Sequence, residues 1–371
     1  YRIWRNILTL KKIQIALVSK ETLPVFYMIN ELRPDEVYLV GTKETQSEMR
    51  YIKVVAKGIG VDCHELTTLP DSMQDCMKVC DSIHAHNGED CEYCYNLTCG
   101  TKLMAFGALI CAQSHKANAV YTDVSSYTDF SDFGRHDITR LLDTDTIIAL
   151  QGQKVKGKEV YHYDAERTEC ANAVREFIEN NDKAYRILMN YYVSYRCMPD
   201  PFKSGKLSCY KDKGRLVVEY DDVEVFSSGY HDAFMMLLEG RWWETLVADA
   251  VAKWAGEGKE IWTSVRFEPN SRMQRNDKNE IDVLVNIGNA LLFVECKSGS
   301  FTQDNIYKLG SVFRTYGSYK SKGVIVSYRK SVIKPDLLEK AKEERVALVV
   351  PNRNMSNLVV ELDKVVNSLK S

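Results

Sequence analysis

Residues 279–300 read NEIDVLVNIGNALLFVECKSGS. Two apolar runs, Glu280 to Asn286 and Ala290 to Lys297, flank the pair Gly288 and Asn289. That is the composition of two strands joined by a tight turn. Side chains alternate along a strand, so Glu295 and Lys297 share one face and Cys296 takes the other. The turn brings Asp282 beside Glu295 on that face. Asp282 sits between Ile281 and Val283, and Glu295 follows Leu-Leu-Phe-Val. Charges there are costly unless they are paired or bind a metal. The bland alternative is an edge hairpin with ordinary surface charges.

Outward from this hairpin, Gly240 to Trp254 has a helical pattern, with GRWWE placing Glu244 near its start. Ile261 to Phe267 reads as a strand. After the hairpin come a helix over Gln303 to Tyr316, a strand over Gly323 to Ser327, a helix over Pro335 to Glu344 and a strand over Val346 to Val350. The order is α-β-β-β-α-β, then a further αβ pair. Two carboxylates meeting at a sheet edge suit a hard divalent cation such as Mg2+ or Mn2+. Such an ion polarises a phosphodiester and makes its water more acidic. The Lys297 ammonium can orient that water or offset charge growing on the phosphate. Glu244 is read as a further ligand or as a group that holds the metal-bound water. Gln303, Tyr307 and Lys308 are candidates for backbone contacts, and a solvated helix face explains them almost as well.

Asp282, Glu295, Cys296 and Lys297, with the helix bearing Glu244 and the α-β-β-β-α-β order, resemble the PD-(D/E)xK nuclease superfamily. Ile281 stands where the family's common form has Pro. The resemblance implies a restriction-endonuclease-like α/β domain and metal-dependent phosphodiester hydrolysis. It gives Glu244, Asp282, Glu295 and Lys297 catalytic roles, the three carboxylates as metal ligands.

The first third differs. Ile13 to Val18, Glu36 to Gly41 and Ala119 to Asp123 are apolar runs, and helical patterns lie between them at Val25 to Leu32, Ser47 to Gly58, Asp75 to Ile83 and Lys102 to Gln113. This alternation predicts a parallel sheet with helices on both faces, whose ligands bind beyond the carboxyl ends of the strands. Tyr95 to Met104, YNLTCGTKLM, opens a helix at Lys102. Thr98, Gly100, Thr101 and Lys102 supply hydroxyls, free amides at a helix start and one cation, which suits an anion. The spacing is not that of a Walker A loop. An ordinary capped helix start is the alternative.

The NxTxGTKxM run, with LVSKETLP at Leu17 to Pro24 and LVGTKET at Leu39 to Thr45, resembles the Rossmann-like CARF domains of type III CRISPR ancillary proteins. Cys99 replaces the first of two glycines in the family's common form, and a β-carbon there restricts positive φ. The resemblance implies a homodimer that binds cyclic oligoadenylate, here cyclic tetra-adenylate, in a cleft on its two-fold axis. It matches Ser19, Lys20 and Thr22 to the first binding loop, Thr42 and Lys43 to the second, and Thr98, Gly100, Thr101 and Lys102 to the third. A CARF sensor joined to a PD-(D/E)xK effector implies a nuclease activated by cyclic oligoadenylate in antiviral defence. Its substrate would be single-stranded DNA or RNA, or duplex DNA that it nicks. The rivals are a restriction or repair nuclease that needs no activator, and a non-catalytic nucleotide sensor.

A chain of 371 residues is long for one core and predicts two or three domains. We divide it into a sensor over 1–125, a linker region with helices and a small hairpin over 126–226, and a nuclease domain over 227–371. A hydrophobic fraction of 45% with 27% charged residues fits a globular protein, and a net charge of −2 argues against a generally basic nucleic-acid binder. It leaves room for a local basic groove beside an acidic centre. No apolar run is long enough to span a membrane. Tyr1 to Leu10, with Arg2 and Arg5, lacks a cleavage site, and the missing initiator Met leaves room for truncation. A cytoplasmic location is expected. The 11 cysteines are odd in number and scattered, which argues for free thiols over a disulfide framework. Cys76, Cys80, His84, His86, Cys91 and Cys94 form the one dense cluster. A helix face turned to the core is preferred there over zinc.

Overall fold

Three sheets organise the chain in the computed structural model, which describes residues 10–123, 125–268 and 280–367. Arg2 and Arg5 lie outside these residues. The elements run β1 (Lys11–Leu17), α1 (Leu23–Leu32), β2 (Glu36–Gly41), α2 (Gln46–Gly58), β3 (Asp62–Thr67), α3 (Met73–Asn87), β4 (Cys91–Asn96), α4 (Lys102–Ser114) and β5 (Asn118–Thr122). They continue with β6 (Ser126–Asp129), β7 (Arg135–Asp137), α5 (Thr144–Leu150), β8 (Val155–Val160), α6 (Ala165–Asn180), α7 (Asp182–Tyr195), β9 (Phe202–Ser204), β10 (Leu207–Asp212), β11 (Arg215–Tyr220) and β12 (Val223–Ser228). The last third holds α8 (Ala233–Glu239), α9 (Arg241–Ala255), β13 (Ile261–Phe267), β14 (Glu280–Asn286), β15 (Leu291–Lys297), α10 (Gln303–Tyr316), β16 (Lys322–Ser327), α11 (Pro335–Glu344), β17 (Val346–Val349) and α12 (Ser356–Asn367).

The first sheet has the order β3-β2-β1-β4-β5-β6-β7, with β1 to β5 parallel. Its central strand is buried on both faces, as a parallel sheet demands. Ile13, Ile15 and Leu17 pack with Cys76 and Cys80 of α3 and with Met104 and Ala108 of α4. Ala16 on the other face packs with Phe26, Ile29 and Ile52 of α1 and α2. The chain leaves β1 for β2 on one side and returns to β4 on the other. The switch point, where ligands bind in such sheets, therefore lies between β1 and β4.

The last sheet, β17-β16-β15-β14-β13-β8, carries the hairpin. Val283 pairs with Val294, and Asn286 with Leu291. Gly288 and Asn289 both have positive φ, at 84° and 37°, as the two central residues of a tight hairpin turn require. Leu292, Val294 and Cys296 face a core with α9, while Leu291 and Phe293 face one with α10.

Between the two sheets the chain is more ordered than its sequence suggests. The weakly patterned stretch from Ser125 to Tyr161 holds β6 and β7, which extend the first sheet, and β8, which is the edge strand of the last. An edge strand is held by main-chain pairing, here with β13, so β8 (VKGKEV) needs no apolar run. The expected hairpin near Gly205 to Ser227 is part of a four-stranded sheet, β12-β11-β10-β9, with α6 against β12. The thiols of Cys76 and Cys80 are buried in the α3–α4 core. His84 bonds Tyr95 through Nε2 at 2.8 Å and stacks on His115. No helix among the described residues is long and apolar enough to cross a membrane.

Residues 138–150 join the two ends of the chain. Ile138, Leu142, Ile147, Ile148 and Leu150 share one apolar core with Ile29 of α1 and with Leu284 and Leu291 of the hairpin. The buried Asn286 donates through Nδ2 to the Leu142 carbonyl at 2.8 Å and accepts the Gly288 amide at 3.0 Å. Asn286→Ala leaves a buried carbonyl and amide unpaired. It should destabilise the sheet by about 1–3 kcal/mol, read as a lower midpoint in urea or thermal unfolding.

Candidate active site

Asp282 is held among apolar neighbours because Ile281 and Val283 are fully buried on either side. One step along the ladder from the Val283–Val294 pair, Asp282 falls opposite Glu295. Its Oδ2 accepts the Cys296 amide at 2.6 Å, which locks the carboxylate to β15. Glu295 is only 7% exposed, and its Oε1 accepts the Lys297 ammonium at 2.6 Å. The Cys296 thiol turns away into the α9 core, as strand alternation requires. Glu244 comes from the first turn of α9, which packs on β14 and β15, and is half-buried.

Electrostatics tie these four groups together. Burial pushes the Glu244 carboxyl up to about 7; Arg241 opposes this, and Glu280 and Glu295 add to it. Burial also drives Asp282 well above the usual carboxylate range, and the negative charges of Glu295 and Glu244 reinforce it. Burial alone would lower Lys297, yet Glu295 more than offsets it, so the ammonium stays charged. Among the described residues no three such side chains stand as a metal cluster, and the Cys296 amide and Lys297 ammonium each occupy one carboxylate oxygen. The chemistry of the donor set fits a hard cation. Crowded carboxylates that raise one another's affinity for a proton also attract a divalent ion.

Glu244, Asp282 and Glu280 line a cavity of about 690 Å³, whereas Glu295 and Lys297 do not. Arg167 and His162 come from the segment before and within α6, and His231 and Arg241 from either end of α8. Glu280 was legible as the same-face neighbour of Asp282, two residues away. Arg167 carries no sequence signal, because nothing in its own segment points to a nuclease. Gln303 and Lys308 do not line this cavity, and Lys340 covers the ring of Tyr307 at 4.5 Å.

In the first sheet, the loops after β2, β1 and β4 meet at the carboxyl edge of adjacent strands. Lys20, Lys43 and Lys102 are exposed there. Gly100 has φ +77°, and a β-carbon on it would press Leu17 and Met104 at 3.2 Å, so this position needs glycine. Cys99 keeps negative φ and directs its thiol to the Glu21 carbonyl at 3.4 Å, so the loop closes without a second glycine. Several hydroxyls matched to the loops are taken up by bonds or burial within the protein. Thr22 donates to the Leu150 carbonyl at 2.8 Å, Thr101 to the Pro70 carbonyl at 2.6 Å, and Thr42 is buried at the start of a short 3-10 turn. Ser19 accepts the Glu21 amide, and Thr98 bonds Asn96 and the Thr122 amide.

Residues 232–366 match the family model of the Card1-like endonuclease domain, and residues 13–132 match that of the Card1 CARF domain. No curated protein matches the chain. Among solved structures, the chain is similar to Can2 from Sulfobacillus thermosulfidooxidans in complex with cyclic tetra-adenylate. The TM-score is 0.75 at 17% identity, covering 96% of this chain and 99% of that one. It is similar to protein VC1899 from Vibrio cholerae, with TM-score 0.70 at 13% identity over 97% and 99%. A type III CRISPR defence DNA nuclease activated by cyclic oligoadenylate aligns with TM-score 0.54 at 19% identity. That alignment covers 85% of this chain but 45% of the larger one. At these identities the likeness is one of fold.

The charge crowding fixes a pH dependence. The Glu244 carboxyl is raised from an ordinary 4.5 to about 7 on folding. Between these values the unfolded chain releases a proton that the folded chain keeps, so stability falls as pH rises. Asp282, also raised, acts in the same direction. The metal-free protein should melt lower at pH 8 than at pH 5, by on the order of 1–3 kcal/mol in stability. Glu244→Gln should flatten this profile, and Mg2+ or Mn2+ should stabilise the native protein more at pH 8 than at pH 5. A thermal-shift series without and with the ion checks both.

Proposed function

Because the chain joins a Card1-type CARF domain to a Card1-like endonuclease domain, we propose that it is a metal-dependent nuclease switched on by cyclic oligoadenylate in type III CRISPR defence. The observation that supports the catalytic half is the crowding of Glu244, Asp282 and Glu295 beside the Lys297 ammonium, with Glu244 and Asp282 lining a cleft. Glu244, Asp282 and Glu295 would hold Mg2+ or Mn2+. When bound, the ion supplies Lewis-acid polarisation of the phosphodiester and a more acidic water. Lys297, anchored by Glu295, keeps a positive charge where the phosphate becomes more negative in the transition state. The Cys296 amide fixes the direction of Asp282 so that the carboxylate need not reorganise. DNA and RNA, single-stranded or as a nicked duplex, are the proposed substrates.

The activator, for which cyclic tetra-adenylate is the first candidate, would sit over Ser19, Lys20, Thr42, Lys43, Thr98, Gly100 and Lys102. The exposed lysines and the amides at the start of α4 suit its phosphates. The inward hydroxyls of Thr22 and Thr101 would set loop shape instead of touching the ligand. A homodimer is supported by α4 itself. Leu103, Phe106 and Ile110 form an exposed apolar stripe on it, continuous with the Lys102 loop. A two-fold ligand suits an interface in which each copy offers the same half-site.

Coupling between the two ends has a physical route. α1 follows the first loop directly, and its Tyr27 hydroxyl donates to the Asn289 carbonyl in the hairpin turn at 2.6 Å. Thr22, at the cap of the same helix, bonds the end of α5. A shift of the first loop is thereby felt at the strands that carry Asp282 and Glu295.

Cleavage of single-stranded and supercoiled DNA and of single-stranded RNA, with Mg2+ or Mn2+ and with or without cyclic tetra-adenylate, tests the proposal directly. Cleavage should require the activator; equal cleavage without it would favour a restriction or repair role. Glu295→Ala should abolish cleavage and leave activator affinity intact, while Lys102→Ala should weaken activator binding in a folded chain. Tyr27→Phe should bind activator normally yet lose about 5- to 100-fold of the stimulation, the range of an ordinary coupling free energy. Full stimulation in that variant would remove the Tyr27 contact from the route.

A further inference from the structure

We propose that Arg167, on the first turn of α6, is a substrate-binding residue that grips a backbone phosphate of the nucleic acid in the cleft that Glu244 and Asp282 also line. This rests on the nuclease function proposed above and adds to it a contact from the segment between the two recognisable domains.

The guanidinium lines the same cavity as Glu244 and Asp282. Of its five N–H donors, one from Nη2 goes to the His162 carbonyl at 2.8 Å. Nε is enclosed and has no hydrogen-bond partner, although an unpaired buried donor is costly. The carboxylates that might have satisfied it are committed elsewhere. Asp164 caps α6 by accepting the Arg167 amide at 3.0 Å. Asp249 accepts the Tyr161 hydroxyl at 2.8 Å and the Thr168 hydroxyl at 2.7 Å. Arg167 thus stands in an acid-rich cleft without a carboxylate partner among the described residues.

A planar guanidinium with open donors is suited to a phosphate, which it meets with two parallel hydrogen bonds. A nucleic-acid strand offers phosphates in series. One placed at the carboxylates leaves a neighbour to be met elsewhere in the same cleft. Arg241 differs, since it stands 3.9 Å and 4.0 Å from Asp232 and Glu239 and on the same helix turn as Glu244. The start of α6 and the segment before it therefore help to complete the cleft.

The test uses the full chain carrying Glu295→Ala, so that nucleic acid is bound and not cut. Anisotropy of labelled single-stranded DNA and RNA is followed with and without cyclic tetra-adenylate across a range of salt. Arg167→Ala in this background should bind about tenfold more weakly, with a salt slope shallower by about one. Arg167→Lys should restore the slope but only part of the affinity, because an ammonium lacks the fork geometry. In the chain with Glu295 intact, Arg167→Ala should raise KM more than it lowers kcat. Unchanged affinity and slope in a variant with the parent's melting temperature would overturn the assignment and leave the nuclease standing. If Arg167→Ala fails to fold, Arg167→Lys decides the matter: full affinity overturns the assignment, and a partial loss at unchanged slope supports it. A parent chain that binds neither DNA nor RNA would overturn the nuclease function and this contact with it.

Discussion

Three carboxylates and one ammonium share the end of a largely buried hairpin, and the surrounding frame has to tolerate that. Taking such groups out of water is unfavourable, and like charges side by side make it worse. Glu295 is offset by Lys297 and Asp282 by the Cys296 amide, so each carries one fixed partner. Glu244 has the more exposed Arg241 and, less strongly, Lys297 to oppose the effect of burial. A chain could relieve this by letting the strands fray. It does not, because Leu292, Val294 and Cys296 are clamped from the α9 side and Leu291 and Phe293 from the α10 side. The apolar packing holds the acidic groups in place, and buried, crowded carboxylates are the kind of group that takes up a proton or a divalent cation.

The same rigidity makes the hairpin a natural receiver. Its far end, the Gly288–Asn289 turn, is buried against Leu142 and Tyr27. A stiff two-stranded ribbon transmits a displacement of its turn to its open end, where Asp282 and Glu295 sit. In a floppy loop the displacement would be lost before it arrived. The lysine-rimmed edge of the first sheet begins one helix away from this turn, since α1 starts directly after Thr22. Two sites in different sheets are therefore joined by one helix and one segment, residues 138–150, through packed atoms and four side-chain hydrogen bonds donated by Thr22, Tyr27, Asn286 and, to Glu260, Thr144.

Much of this is legible in the sequence. The hairpin is legible because its signals are local: alternation places Glu295 and Lys297 on one face, and Gly288–Asn289 can hardly be anything but a turn. The parallel sheet of the first third was legible because strands buried on both faces are apolar throughout, as in β1 and β2. Two kinds of feature were hidden. β8 is an edge strand whose side chains are half-exposed, so its pairing with β13 leaves no pattern in its residues. The inward turn of the Thr22 and Thr101 hydroxyls was hidden because their partners, Leu150 and Pro70, are set by tertiary structure. A motif names the residue but not the direction in which its side chain points.

The cleft shows the same limit from the other side. A PD-(D/E)xK-like core has its carboxylates at a strand edge that is open to solvent on one flank, and strand patterns say nothing about what covers it. Here α6 packs along α9 and carries Arg167 to the open flank. Helix packing of this kind is specified by apolar positions such as Cys170, Val174 and Phe177, which look like any other amphipathic helix. The residue that faces the substrate side is placed by them at no cost in local pattern. A segment without a motif can for that reason supply a site residue, and the region between two recognisable domains is where such residues are hardest to find from sequence.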